Sequence, residues 1–193
     1  GKTTTLRILS GLLWPPEGKV RVGAFDMAEQ PEKARSQIGF LPERPPLYPE
    51  MRVEDFLIFV ARIHTLGTGT KDAVQRAMAA TDLLEQRHQV IGTLSNGYQR
   101  RVGIAHAIVH RPKLILLDEP TSGLDPVQII HMRRLIESLK LEHTVIVSSH
   151  LLGEVQQMCD RVLLLHEGHL LADGSAEELL AKGKKSTSVH MEV

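Results

Sequence analysis

Two adjacent carboxylates, Asp118 and Glu119, close the apolar run Leu114-Ile115-Leu116-Leu117, and Pro120 stops it. Four apolar residues in a row predict a buried parallel strand. The two acids then stand at its carboxyl end, where lost solvation makes an unpaired negative charge costly. Lys2 offers a positive partner, within Gly1-Lys2-Thr3-Thr4-Thr5. Its Gly-Lys-Thr is the last part of G-x-x-x-x-G-K-[ST], a pattern that holds phosphate. A Mg²⁺ carried by a nucleotide beside Lys2 would be a second. At the end of another apolar strand, residues 144–148, stands His150. Phosphoryl chemistry needs a cation, a base to orient water, and donors for the developing charge. Lys2, Asp118, Glu119 and His150 supply those types at strand ends, where open α/β sheets place ligands. Taken alone, two acids after a strand also suit an exposed turn, and a bare Gly-Lys-Thr also suits a plain helix start.

The elements that must position these groups follow from periodicity and punctuation. Leu6-Arg7-Ile8-Leu9 continues a helix that stops at Ser10-Gly11. Short strands are predicted at residues 19–22 and 38–41. The segment 42–49, with prolines at 42, 45, 46 and 49, must be a surface loop. From 53 to about 89 the pattern turns helical, with Phe56, Phe59, Val60 and Ile63 at helical spacing, and Gly67-Thr68-Gly69 interrupts it. A helix over 98–110 ends at Arg111-Pro112. Strands at 113–117, 144–148 and 161–165 then alternate with helices at 127–140 and 152–158. Apolar strands alternating with amphipathic helices predict an α/β fold with a parallel sheet covered on both faces. A mostly helical insert at about 50–110 divides it, and the polar stretch from about 183 to 193 reads as a loose tail.

Composition narrows the partners. The 193 residues carry 23 basic and 23 acidic side chains, so no bulk positive field draws nucleic acid, and no nucleic-acid partner is expected. One cysteine, Cys159, excludes a disulfide framework and a cysteine-built zinc site; it reads as a small residue at a helix end in a reducing compartment. No apolar run reaches the 18 or so residues that span a bilayer, and no signal peptide is visible, so a soluble chain is expected. His106 and His110 share a helix face but lack a third ligand, which argues against zinc. The helix near 53–64 reads as core of the insert rather than as a membrane-surface helix.

Together these pieces resemble the nucleotide-binding domain of an ABC transporter. Gly1-Lys2-Thr3-Thr4 resembles that family's Walker A, and Leu114 to Pro120 its Walker B with the catalytic glutamate, Glu119. Ser122-Gly123-Leu124-Asp125 resembles its D-loop, and His150 its switch histidine. Most specific is Leu94-Ser95-Asn96-Gly97-Tyr98, which resembles the family signature LSGGQ and lies 93 residues after Lys2 (counting to Ser95). A P-loop kinase or GTPase gives no reason for that signature. The resemblance implies a P-loop NTPase-type parallel sheet with flanking helices and an ABC-type helical subdomain. It implies ATP and Mg²⁺ as cofactors, with Thr3, Glu43 and Asp118 on the metal, and Gly1, Lys2, Thr3, Thr4, Glu43, Ser95, Asn96, Gly97, Asp118 and Asp125 around the nucleotide. Glu119 and His150 would be catalytic.

The sequence also departs from the family's pattern. The glycine-rich first half of Walker A and the adenine-stacking region are absent, so the chain is expected to have lost its beginning and to bind ATP poorly as it stands. Asn96 replaces the signature's first glycine, Tyr98 its glutamine, and Glu43 the glutamine of the Q-loop. The resemblance further implies a head-to-tail ATPase dimer, of like or unlike copies, that brings Ser95 and the Gly97 N–H at the start of the helix onto the partner's nucleotide. A separate transmembrane permease would receive the drive, its coupling helix meeting Leu47 and Tyr48. The chain would then sit on the cytoplasmic face of the membrane. The proline-dense loop is similar to that of bacterial exporters. The competing expectation is a soluble ABC ATPase of translation or DNA repair.

Overall fold

The sheet forms where apolar runs can be buried on two sides at once. The computed structural model describes residues 1–64, 67–175 and 177–179; the tail at 183–193 lies outside the described residues. Three strands, β3 (Ile38–Leu41), β4 (Leu114–Asp118) and β5 (Thr144–Ser148), pair in parallel in the order β3-β4-β5. Leu41 lies across from Leu117, and Asp118 from Ser148, so all three strands finish at one edge. In β4 the pleat sends Leu116 to one face, against Leu6 and Ile38, and Ile115 and Leu117 to the other. All three are fully buried, each side chain worth about 1.5–3 kcal/mol.

Helices cover those faces. Helix α1 (Lys2–Leu9) buries Leu6 and ends at Ser10, with Gly11 at φ +75° turning the chain away. On the other face lie α5 (Asn96–Ile108) and α6 (Pro126–Leu139), with Val102, Ala105, Met132 and Ile136 in the core. Helix α5 approaches β3 closely: a Cβ on Gly39 would lie 2.1 Å from the Ala107 carbonyl oxygen, so only glycine fits. The insert comprises α3 (Val53–Ile63) and α4 (Thr70–Ala80), tied below by a bridge from Arg52 to Val90. Helix α7 (Leu152–Met158) follows β5.

Several expectations need correction. The signature helix runs from Asn96 to Ile108; it starts two residues before the predicted start because Ser95 caps it. The insert's second helix ends at Ala80, and Asp82 at φ +54° opens a run of turns that reaches 90. Phe56 and Val60 are core, but Phe59 (42% exposed) and Ile63 (64%) face outward, since the buried stripe of α3 runs through Val53, Phe56, Leu57, Val60 and Ala61. The strand near 19–22 is only β1 (Arg21–Val22) and folds back antiparallel on β2 (Phe25–Asp26); α2 (Pro31–Arg35) follows. Strand β6 (Val162–His166) does not extend the parallel sheet but forms an antiparallel hairpin with β7 (His169–Gly174). Its turn is Glu167-Gly168, both at positive φ. Coverage is also incomplete: Ile146 of β5 is 38% exposed.

A candidate nucleotide site at the strand ends

The carboxyl ends of β4 and β5 meet the start of α1, and polar side chains converge there. Lys2, the first residue of α1, donates from Nζ to Glu119 Oε1 at 3.0 Å and to the Ser149 carbonyl oxygen at 2.7 Å. His150 Nδ1 stands 2.8 Å from the other oxygen of Glu119. Glu119 is thus held between an ammonium and an imidazole. Its backbone lies at φ +49°, the left-handed region that a non-glycine residue enters at a cost of about 1–3 kcal/mol. Its N–H is fixed there by Ser148, donating to Oγ at 3.0 Å and to the carbonyl oxygen at 3.2 Å. Burial alone would raise the Glu119 carboxyl; hydrogen bonds from His150 and Lys2, with their charges, outweigh it and hold the group below its ordinary range.

Asp118 lies one residue deeper and is 1% exposed. Its Oδ1 accepts from Ser148 Oγ at 2.6 Å and from Thr3 Oγ1 at 3.4 Å. Its Oδ2 is buried with no hydrogen-bond partner. A buried carboxylate oxygen left over beside a threonine hydroxyl is the donor set of a hard divalent cation, so these residues fit Mg²⁺. Glu154 of α7, 5% exposed, lies behind them and accepts from Thr121 Oγ1 at 2.6 Å and from Ser149 Oγ at 3.3 Å. It ties the loop after Glu119 to the loop carrying His150.

The remaining sequence candidates lie apart from this cluster or at its rim. Ser95 caps α5, its Oγ accepting from the Tyr98 N–H at 3.5 Å, and Asn96 and Gly97 form the first turn. Gly97 faces α6, where a Cβ would meet Gln128 Oε1 at 2.7 Å. Asp125 caps α6 and accepts from the Gln128 N–H at 2.9 Å. Among the described residues, neither Ser95 nor Asp125 is hydrogen-bonded to Lys2, Asp118, Glu119 or His150. Gly1 contributes its carbonyl, which accepts from the Thr5 N–H at 2.9 Å, and Thr4 is exposed. Glu43 follows β3 at the same sheet edge; its side chain is exposed, and its carbonyl oxygen accepts from Arg100. Tyr98 lies under the Arg101 guanidinium, 5.8 Å from its ring centroid.

Motif reading did not assign Ser148, Glu154, Arg100 or Gln128. Ser148 had a signal, since parallel pairing of the two apolar runs sets it beside Asp118. The other three depend on how helices cross the sheet. The His106 and His110 pair is engaged elsewhere: His106 stacks on Phe56 at 5.9 Å, and His110 on His64 at 3.9 Å. Burial pushes both imidazoles down to about 4, with His64 adding a smaller lowering.

Comparison with known proteins supports the fold. A family model described as ABC transporter matches residues 1–122. The chain is 36% identical over 187 residues to the bacitracin transport ATP-binding protein BcrA of Bacillus licheniformis, covering 96% of this chain and 60% of that protein. It is 31% identical to the linearmycin resistance ATP-binding protein LnrL of Bacillus subtilis, covering 100% of this chain and 63% of that one. It therefore spans about 60% of the length of these curated relatives. Among solved structures, cbiO1 of Clostridium perfringens, part of the cbiONQ transporter complex, superposes with a TM-score of 0.85 at 27% identity, over 96% of this chain and 76% of that one. On the family model and these relatives, the chain belongs to the ABC transporter family.

Proposed function

We propose that the protein binds Mg-ATP at the strand-end cluster, hydrolyses it as one half of a head-to-tail pair of ATPase copies, and drives a separate membrane permease. The observation that carries the chemistry is the chain Lys2–Glu119–His150 beside the unpartnered Asp118 Oδ2. When bound, Mg²⁺ supplies charge neutralisation at phosphate oxygens, and Asp118 and Thr3 would hold it, with Glu43 a further candidate. Lys2 carries three ammonium donors, two of them on Glu119 and Ser149. Turning toward a phosphate loosens its hold on Glu119 and frees that carboxylate. Glu119, ionised at neutral pH, can then take a proton from water, while His150 keeps its other oxygen oriented. Ser95 and the N–H groups of Asn96 and Gly97 at the start of α5 would face the second copy's nucleotide.

Transport is supported by relatives whose names are those of a bacitracin transport and an ABC transporter ATP-binding protein, over a soluble ATPase of translation or DNA repair. No described helix is long and apolar enough to cross a membrane; the permease would be another chain or a part of the protein outside this one. Its docking face would centre on Leu47 and Tyr48 at the cytoplasmic side; Tyr48 is 46% exposed and meets Phe59 edge-on at 5.9 Å. Likeness to bacitracin and linearmycin proteins supports an exporter. The test is Glu119→Gln in the full protein. Hydrolysis should fall about 10²–10⁴-fold with ATP binding kept; wild-type turnover would move the base elsewhere, with His150 the next candidate.

A further inference from the structure

The inner face of α5 tracks β3 rung by rung. A Cβ on Gly39 would strike the Ala107 carbonyl oxygen at 2.1 Å, and one on Gly103 would strike Leu41 Cδ1 at 2.5 Å and Pro45 Cβ at 3.1 Å. Residues 107, 103 and 100 thus run along the helix as 39, 41 and 43 run along the strand and out of it. At the first two rungs the contact is steric, and glycine permits it. At the third the strand has ended, and a guanidinium takes over. Arg100 Nη1 donates to the Glu43 carbonyl oxygen, and Nη2 reaches the Ser122 carbonyl oxygen at 3.4 Å. Those acceptors lie 57 and 22 residues away in sequence, in the loop after β3 and the loop between Glu119 and Asp125.

We infer that Arg100 is a positioning residue that clamps both loops to the second turn of the signature helix, so that Ser95–Gly97, Glu43 and Ser122 move as one body. This rests on the proposed hydrolysis. The planar fork reaches the two carbonyls from two separate nitrogens, Nη1 and Nη2, held in one plane; a lysine would have to reach both from a single nitrogen on a flexible stem. Burial lowers the basicity of the guanidinium, while Glu43 and Asp118 nearby favour its charge. Because the contacts are to backbone oxygens, changes in the Glu43 or Ser122 side chain leave the clamp's acceptors in place. Because Arg100 stands in the same stretch of helix as the Ser95 cap, releasing it frees the signature relative to the loop that carries Glu119.

The test uses the full protein and three measurements on Arg100→Gln and Arg100→Lys: steady-state ATP turnover, equilibrium ATP binding, and amide hydrogen exchange. For both variants kcat should fall about tenfold, as misplacement of reacting groups does. Nucleotide affinity should stay within about twofold, and exchange should quicken at Glu43, Arg44, Leu47 and residues 121–124 but not in β4 or α6. Arg100→Lys should recover little, since it restores charge without the fork. The inference is overturned if either variant turns over within twofold of wild type, or if exchange quickens across the whole chain together with loss of binding. Glu119→Gln, run alongside, separates the two claims. If it also keeps wild-type turnover, the proposed hydrolysis has failed; if it abolishes turnover while Arg100→Gln does not, only the clamp has failed.

Discussion

The strand-end cluster and the start of the signature helix are held in opposite ways. In the cluster the polar groups are already bonded to one another, Lys2 with Glu119, Glu119 with His150 and Asp118 Oδ1 with Ser148, and only Asp118 Oδ2 is left without a partner among the described residues. At the signature, the Ser95 hydroxyl caps its own helix, and Ser95 and Asn96 are both exposed. One region is closed on itself and must exchange bonds to accept a ligand. The other presents helix N–H groups outward and needs little rearrangement. A site shared between two copies, as proposed, would need a bond-exchanging half and a presenting half on separate surfaces.

If that contrast is right, losing one bond in the closed region should spread further than losing one in the open region. Ser148→Ala removes the hydroxyl that donates to Asp118 Oδ1 and accepts from the Glu119 N–H. Turnover should fall by at least tenfold, and urea titration should report about 1–3 kcal/mol lost from the partly unpaired Asp118. An unchanged unfolding midpoint would mean that the cluster is less tightly wired than its distances say.

Acid should separate the regions in a different way. His106 and His110 have native values near 4, below the ordinary histidine range near 6.5. Between those values the unfolded chain binds protons that the native chain refuses, so stability falls as pH drops from about 6.5 to 4 and is flat above. At pH 4 the loss should be about 2–3 kcal/mol per histidine. Glu119, held low, contributes stability at neutral pH that is lost only further down, as pH falls through its native value. His110→Gln should flatten the upper part of the urea-midpoint profile; an unchanged profile would place the acid sensitivity elsewhere.

The smallest effect is expected at Glu43, whose side chain is exposed. Glu43→Gln should keep hydrolysis within a few-fold, since an amide oxygen can make the same metal or water contact. Glu43→Ala should weaken stimulation by the reconstituted permease more than basal turnover. Equal loss of both rates would make Glu43 a plain metal-site residue rather than a coupling one.

Much of this arrangement was legible in the sequence because its signals are local. Leu114 to Pro120 announces a buried strand with two acids at its end, and Lys2 and His150 stand at the edges of their own elements. What escaped depended on crossings. Nothing local says that Arg100 meets a carbonyl 57 residues away, or that Glu154 reaches Thr121. The β1–β2 and β6–β7 hairpins were missed because one has strands of two residues and the other continues a run that reads as parallel. Phe59 and Ile63 shared helical spacing with the core, but the stripe that packs is rotated away from them.

The central claim, that each hydrolytic site is built from two copies, can be tested by mixing. Lys2→Ala spoils the strand-end cluster, and Ser95→Ala spoils the presenting helix. In a mixed head-to-tail pair, one site carries both defects and the other carries neither. Each variant alone should be nearly inactive in the full protein. Mixed in equal amounts, they should regain about a quarter of wild-type ATP turnover, from half the pairs holding one intact site. No recovery on mixing, with both variants folded and able to pair, would contradict the account and place the whole site within one chain.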